Sequence, residues 1–379
     1  MKNKDLSYLQ ISRSALRHNI KAFRRLAGKK VLIAPAVKAN AYGHGLIGAA
    51  KIFAVAGADW LCVNSVAEAV ILRKAGIKKP ILLIGRFIAA DINKILAANV
   101  RIFIDDYGLA KKVSAAAAKK NQIVPFHLKI DTGMGRQGIA AGQAPDFIKK
   151  ISRLPNLKIE GLATHFANAD EPCHPAHFLK QFNAFNKSAV EIEKFLGRKL
   201  IKHCANSAAA MIYSASRFDL IRPGIAAYGL YPSSEVKKIW EKNQPPLCPT
   251  LSFKTRITLI KIIKAGDCIS YGCTFKAKKR MKLALLPVGY YDGLDRRLSN
   301  AGSVLIRGQA CPILGRVCMD LTVVDISKIK NARLGDEAVI IGRQGGRQIT
   351  ADNLAGIIGT INYEVVTRLR EGLVRYYTE

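Results

Sequence analysis

Short runs of apolar residues rich in Val, Ile and Leu recur along the first part of the chain. They lie at Val31–Val37, Trp60–Val63, Ile81–Ile84, Arg101–Ile104, Val124–Ile130, Ile159–Thr164, Leu200–Cys204 and Leu220–Ile221. Each is too short for a helix of ordinary length and reads as a strand buried on both faces. Between them, at Ala49–Ala56, Val66–Ala75, Ile92–Ala98, Leu109–Lys119, Pro145–Arg153 and Lys180–Leu196, apolar residues return three and four apart, the spacing of one helix face. Strands that alternate with helices make a parallel sheet, because each crossover must travel back along a face of that sheet. Eight such strands predict a (β/α)8 TIM-type barrel.

Polar residues and glycines gather where these runs end: Lys38-Ala-Asn-Ala-Tyr42, Asn64-Ser65, Gly85-Arg86, Asp131 to Arg136, His165, Asn206-Ser207 and Arg222-Pro-Gly224. In a barrel all these βα loops open on one rim, so the pattern predicts a shared pocket there. The alternation then breaks around Tyr231–Pro249, which holds Pro232 and Gln244-Pro-Pro-Leu-Cys-Pro249. A domain boundary is expected in this stretch, with a barrel over residues 1–243 and a second domain over 244–379. Beyond it the apolar runs Leu251–Ile263, Lys282–Val288, Ser303–Ile306, Thr322–Ile326 and Glu337–Ile341 are short, often alternating, and punctuated by glycine. These predict a mostly antiparallel β-domain, to which the first few residues of the chain could also pair.

Charge changes this picture less than its size suggests. The 379 residues carry 60 Lys and Arg against 27 Asp and Glu, a formal net charge of +33 that points first to a nucleic-acid partner. Yet 49% of the residues are hydrophobic, which excludes a disordered polycation. The excess is also spread, with 39 basic and 16 acidic residues before Thr250 and 21 and 11 from there on. The charged runs Lys111 to Lys120 and Lys276 to Lys282 read as solvated faces, so no nucleic-acid partner is expected. The first 21 residues carry charges throughout, and no stretch has the length of a membrane span, so a cytoplasmic protein without a membrane partner is expected. Eight cysteines without a Cys-x-x-Cys pair read as reduced, mostly buried thiols, and His174 and His177 read as surface loop; no metal is assigned.

Lys38 is the first candidate for chemistry. A lysine at a barrel rim whose surroundings lower its pKa can form a Schiff base, and otherwise is a salt-bridge partner. Its setting, Val-Lys-Ala-Asn-Ala-Tyr-Gly-His-Gly over Val37–Gly45, resembles that of the cofactor lysine of alanine racemases. The resemblance continues through His127–Arg136 (His-Leu-Lys-Ile-Asp-Thr-Gly-Met-Gly-Arg), Glu160–Ala167, Ala205–Ala208, Arg222–Ile225, Ser270–Gly272, Pro287–Gly293, Gly315–Asp320 and Thr360–Glu364, in one order over nearly the whole chain.

The resemblance implies a pyridoxal 5′-phosphate enzyme that interconverts L-alanine and D-alanine, supplies D-alanine for peptidoglycan, and works as a homodimer with shared active sites. It implies Lys38 and Tyr271 as the two bases, with Tyr271 reaching the barrel of the other subunit. His165, Arg222, Lys129 and Asp320 would support them. Cofactor contacts would come from Lys38, Tyr42, Arg136, His165, Asn206, Ser207, Arg222, Gly224, Ile225 and Tyr363. Substrate contacts would come from Arg136, the backbone N–H of Met319, and Tyr290. Arg222 would face the pyridine nitrogen; a guanidinium keeps its proton, so that nitrogen stays unprotonated and the ring is a weaker electron sink, favouring racemisation over transamination. Lys129 is often carbamylated in relatives; unmodified, it would pair with Asp131 or Asp320. Tyr290 and Tyr363 would narrow the space beyond Cα and favour alanine. Tyr291 stands where a small residue is usual, and Thr367–Arg375 is a loose version of the family's ending.

Four alternatives compete with this reading. A racemase of serine or of broader specificity would differ in substrate only. A pyridoxal-phosphate decarboxylase would be expected to place an acid where Arg222 stands. A non-catalytic pyridoxal-phosphate protein resembles the barrel alone, without a domain carrying Tyr271 and Met319. A nucleic-acid-binding protein with a vestigial barrel would show salt-sensitive retention on DNA.

Overall fold

A computed structural model describes residues 5–379. Among these, Leu32–Ile33, Leu61–Val63, Ile81–Leu83, Arg101–Ile104, Val124–Asp131, Leu157–Ala163, Ile201–His203 and Leu220–Ile221 form the eight barrel strands, one for each apolar run. Neighbours pair in parallel from Leu61–Val63 to Ile201–His203, and Leu220–Ile221 pairs in parallel with Leu32–Ile33. Two further links close the ring. Ala36 bridges Cys62, and the N–H groups of Asp219 and Arg222 donate to the carbonyls of Lys202 and Ala205 at 3.1 and 2.9 Å. The strand residues Phe126, Leu128, Ile130 and Leu162 are buried, which explains why the runs are apolar without alternation.

Local chemistry starts and stops the helices where the sequence pattern does. Ser65 and Glu68 form a reciprocal capping box at the start of Val66–Lys74, and the Asp106 carboxylate accepts from Leu109 N–H at the start of Tyr107–Ala118. Gly197, in the left-handed conformation, ends the 21-residue helix Ala176–Leu196.

The chain divides into two compact units. One holds Ala15–Ala41 and Leu46–Pro249; the other holds, among the described residues, 5–14, Tyr42–Gly45 and Thr250–Glu379. The main split falls after Pro249 rather than at 243/244, and two features account for it. Ser234–Asn243 is a helix rather than a break, capped by Ser233. The segment after it is tied back by Asn19, whose side-chain amide donates to Cys248 O at 2.9 Å and accepts from Cys248 N–H at 2.9 Å.

In the second unit a sheet runs in the order Gln309–Pro312, Ser303–Ile306, Glu337–Gln344, Leu251–Arg256, Tyr8–Ser12, Val374–Thr378. Every pairing along it is antiparallel except the last. The run Leu251–Ile263 supplies two strands, Leu251–Arg256 and Leu259–Ile263, in different sheets. The switch occurs at Ile257 and Thr258, whose N–H groups donate to Asp336 O and Leu285 O. Leu259–Ile263, Met281–Leu286 and Thr322–Asp325 form a second antiparallel sheet, and Cys268–Ile269 pairs with Phe275–Lys276 as a small hairpin. Two helices that the periodicity did not suggest, Ala351–Ile358 and Asn362–Thr367, complete the unit. No helix among the described residues is long and apolar enough to cross a membrane.

Candidate active site

Lys38 opens a turn of unusual backbone. Ala39, Asn40, Ala41 and Tyr42 follow it with φ of 52, 52, 53 and 53°, a left-handed turn made without glycine. Such a turn costs roughly 1–2 kcal/mol per residue, so neighbouring groups must hold it. Glu68 accepts from Ala39 N–H at 2.7 Å and from the N–H groups of Asn64 and Ser65. The Asn40 side chain accepts from Leu46 N–H at 2.8 Å. The turn thus fixes Lys38 at the C-terminal end of the first barrel strand.

A cluster of cations shares that rim. Lys129 lies on strand Val124–Asp131, Arg136 on the loop beyond it, and Arg222 directly after the last strand. Lys129 and Arg222 are both buried, at 6% relative exposure. Burial, then the charges of Arg222 and Arg136, push Lys129 well below the ordinary lysine range. No carboxylate among the described residues lies within ion-pair distance of it. The expected pairing with Asp131 is absent because that carboxylate accepts instead from the N–H groups of Gly133, Met134 and Gly135. Burial and the Arg136 charge likewise lower Lys38, which raises its fraction of nucleophilic free amine. His165, half-buried just past strand Leu157–Ala163, is held well below its ordinary value by burial and by Lys129, Arg222, Arg136 and Lys38, so it is neutral.

Arg222 is held from several sides. Nη1 donates to His203 Nδ1 at 2.6 Å and to His203 O at 2.9 Å; Nη2 donates to Thr164 O at 2.8 Å and lies 3.5 Å from His165 Nδ1. Its Nε–H makes no hydrogen bond to the described residues, so one donor of a buried guanidinium remains for a ligand. On the next loop, Asn206 caps helix Ser207–Ile212 by accepting from Ala209 N–H, and Ser207 Oγ accepts from Gly224 N–H at 2.8 Å and Ala226 N–H at 3.3 Å. Ile225, fully buried, starts the turn Ile225–Tyr228, and Tyr228 OH donates to Ala36 O at 2.8 Å.

These residues fit an anionic, carbonyl-bearing aromatic ligand such as pyridoxal phosphate. Lys38 offers an amine, and Arg222 one free N–H and a buried positive charge with no carboxylate in contact, which an anion offsets. The barrel unit therefore brings together Lys38, Lys129, Arg136, His165, Asn206, Ser207, Arg222, Gly224 and Ile225.

The other expected site residues belong to the C-terminal unit. Tyr42 and Tyr363 lie with ring centroids 6.3 Å apart. Tyr290 N–H donates to Cys318 O and Tyr291 N–H to Met319 O, both at 3.0 Å. Ser270 Oγ donates to Arg316 O at 2.6 Å, joining the loop of Tyr271 to the loop of Met319 and Asp320. Tyr271, Met319 and Tyr290 are 71, 54 and 43% exposed. Tyr290 also lines a cavity of about 540 Å3 in this unit, with Phe253, Leu294, Glu364 and Arg368.

Both halves of the chain match models of one family: the alanine racemase N-terminal domain over residues 11–232 and the alanine racemase C-terminal domain over residues 250–377. The chain belongs to the alanine racemase family. It is thus an isomerase of the racemase class. It is 40% identical to the alanine racemase of Symbiobacterium thermophilum over 371 residues, covering 98% of this chain and 97% of that one. Among solved structures, the alanine racemase of a D-cycloserine-producing Streptomyces lavendulae superposes with a TM-score of 0.93 at 32% identity, covering 100% of this chain and 98% of that one. The alanine racemase of Bartonella henselae, solved with covalently bound pyridoxal phosphate, has a TM-score of 0.86 at 25% identity, covering 99% of this chain and 100% of that one.

Within this alanine racemase framework the structure departs from the sequence reading at the cysteines. Cys268 and Cys273 are joined as a disulfide across the Tyr271 loop, with Cα atoms 5.0 Å apart, whereas all eight had been expected as thiols. The hairpin brings the two residues together, a proximity that a spacing of five does not signal. Cys62, Cys173, Cys204, Cys248, Cys311 and Cys318 are free. Sequence reasoning also passed over Glu68, His127, Glu160 and His203. For His127, Glu160 and His203 the available signal was a polar side chain inside an apolar barrel run, since such groups persist there only when hydrogen-bonded.

Proposed function

We propose that this chain interconverts L-alanine and D-alanine with pyridoxal 5′-phosphate, with Lys38 and Tyr271 as its two bases, and that the D-alanine serves peptidoglycan synthesis. The observation that carries the reading is the barrel rim itself. A lysine of lowered basicity shares it with a buried guanidinium that keeps one N–H free, in a family whose Bartonella henselae member binds pyridoxal phosphate covalently.

When bound, pyridoxal phosphate withdraws electrons from the substrate's Cα and makes its proton removable. Lys38 would hold the cofactor and, as a free amine during turnover, exchange that proton on one face. A second base must act on the other face, because removal and return on one face restores the same enantiomer. Tyr271 fills this role, contributed by the C-terminal unit of a second subunit, so that a homodimer holds two shared sites. Its large exposure in a single chain is the physical motive for that cover. Arg222 would direct its free N–H at the ring nitrogen without surrendering a proton, which limits how far the ring withdraws charge. Ser207, Gly224, Ile225, Tyr42 and Tyr363 would hold the phosphate, with Asn206 fixing the helix that carries Ser207. Arg136 and the Met319 N–H would bind the substrate carboxylate, with Asp320 on the same turn. Tyr290 and Tyr363 would leave room for a methyl group and little more.

Incubating purified protein with pyridoxal phosphate and L-alanine, then resolving the enantiomers, tests this directly. D-alanine is expected, approaching an equal mixture; failure to form it contradicts the function. L-serine in a parallel incubation tests the side-chain limit, with slower conversion expected.

A further inference from the structure

Behind Arg222, on the side away from solvent, a chain of hydrogen bonds crosses the barrel interior. Arg222 Nη1 meets His203 Nδ1 at 2.6 Å, His203 Nε2 meets His127 Nδ1 at 2.8 Å, and His127 Nε2 meets Glu160 Oε2 at 3.2 Å. Glu160 is held in turn by Arg101, through Nε at 2.7 Å and Nη2 at 3.2 Å. Both imidazoles are fully buried and packed by aromatic rings: Phe103 stacks on His203 at 6.0 Å between centroids, and Trp60 meets His127 edge-on at 5.6 Å.

The chemistry of the donors fixes every proton in this chain. A guanidinium has only N–H donors, so His203 Nδ1 must present a lone pair to Arg222. His203 then carries its proton on Nε2 and donates it to His127. His127 Nδ1 is therefore an acceptor, and its own proton sits on Nε2 facing Glu160. Protonating either ring a second time would set two N–H groups against each other. The charges around the pair act the same way: Arg222, Lys129 and Arg101 surround it, and Glu160 is the one carboxylate in the chain. Burial, then Arg222, His127 and Lys129, hold His203 well below its usual value. Burial likewise lowers His127 despite the opposing pull of Glu160.

Arg222 consequently meets neutral acceptors only: the imidazole nitrogens of His203 and, at 3.5 Å, His165, and the carbonyls of His203, Thr164 and Cys204. The nearest carboxylate along the chain stands two imidazole rings away and is already paired with Arg101. We propose that His203, His127 and Glu160 are positioning residues that lock Arg222 in place as a pure donor while keeping any anion from its side. A carboxylate in direct contact would draw the guanidinium away and offset its charge; the imidazole pair orients it and leaves that charge directed at the ligand. This deepens the racemase reading and rests on it for its catalytic consequence, but the proton positions stand on geometry alone.

Two measurements test it. Nitrogen-15 spectra of the histidine rings in the wild-type holoenzyme should show His203 and His127 neutral, both with the proton on Nε2, between about pH 6 and pH 8. A doubly protonated ring, or a proton on Nδ1 of either, overturns the lock. Next, His203→Asn and His203→Phe should each rebind pyridoxal phosphate with KM for alanine within about twofold of wild type, while kcat falls about tenfold and the pyridoxamine form accumulates more per turnover. Unchanged kcat and unchanged pyridoxamine yield in a folded, cofactor-loaded variant overturn the positioning role. Correct proton positions in a protein that makes no D-alanine would support the lock and refute the racemase reading.

Discussion

The barrel side of the site and the loop surface of the C-terminal unit are built on opposite plans. In the barrel, Arg222, His203 and His127 are buried, and their side-chain N–H donors meet acceptors within 3.5 Å, except the one N–H of Arg222 left for a ligand. On the loop surface, Tyr271, Tyr290 and Met319 stand out into solvent. A preorganised polar site loses little on binding, because its groups are already aimed. An exposed set of aromatic and thioether side chains gains its order only when something covers it. The contrast teaches that one chain holds a rigid half and an open half of the machinery proposed here.

The largest effect should come from the rigid half. Lys38→Ala is expected to abolish racemisation, by ~10⁴-fold or more, and to eliminate the covalent cofactor adduct seen by mass spectrometry after borohydride reduction. A retained adduct would mean that another amine holds the cofactor.

The open half should respond differently. Tyr271→Phe is expected to retain the adduct and the fold, because this side chain is exposed, yet to lower racemisation by ~10²–10⁴-fold. Near-wild-type turnover in both directions would remove Tyr271 from the mechanism.

The smallest effect concerns stability and sharpens the meaning of the buried cations. Lys129 has its pKa depressed in the folded protein, so across the range between that value and the usual 10.5 the unfolded chain binds the extra proton and stability rises with pH. Lys129→Met should therefore stabilise the cofactor-free protein by about 1–3 kcal/mol at pH 7, a gain that shrinks as the pH approaches that of an ordinary lysine. Thermal denaturation across pH measures it; a loss of stability at pH 7 would mean that Lys129 is engaged by an anion.

Much of this was legible in the sequence for physical reasons. A strand buried on both faces must be apolar throughout, so all eight barrel strands announced themselves, and helix Ile92–Ala98 was bounded to the residue. Lys38, Arg136, His165 and Arg222 were readable because the ends of barrel strands are where polar residues collect. What escaped depends on the third dimension. The left-handed turn at Ala39–Tyr42 has no glycine to advertise it and exists because Glu68 and Asn40 hold it. The line from His203 to Glu160 joins His203 to His127 across 76 positions and His127 to Glu160 across 33, and a lone buried histidine gives no hint of its partner. The helix Ser234–Asn243 was hidden by the prolines on either side of it.

Subunit mixing tests the central claim, that one chain's Lys38 works with another's Tyr271. Lys38→Ala and Tyr271→Phe proteins, each inactive alone, are denatured together, refolded with pyridoxal phosphate and assayed for D-alanine. Shared sites predict recovery of roughly a quarter of wild-type activity, since about half of randomly paired dimers are mixed and one of their two sites holds both intact bases. No recovery, with mixed dimers demonstrably formed, would contradict the account.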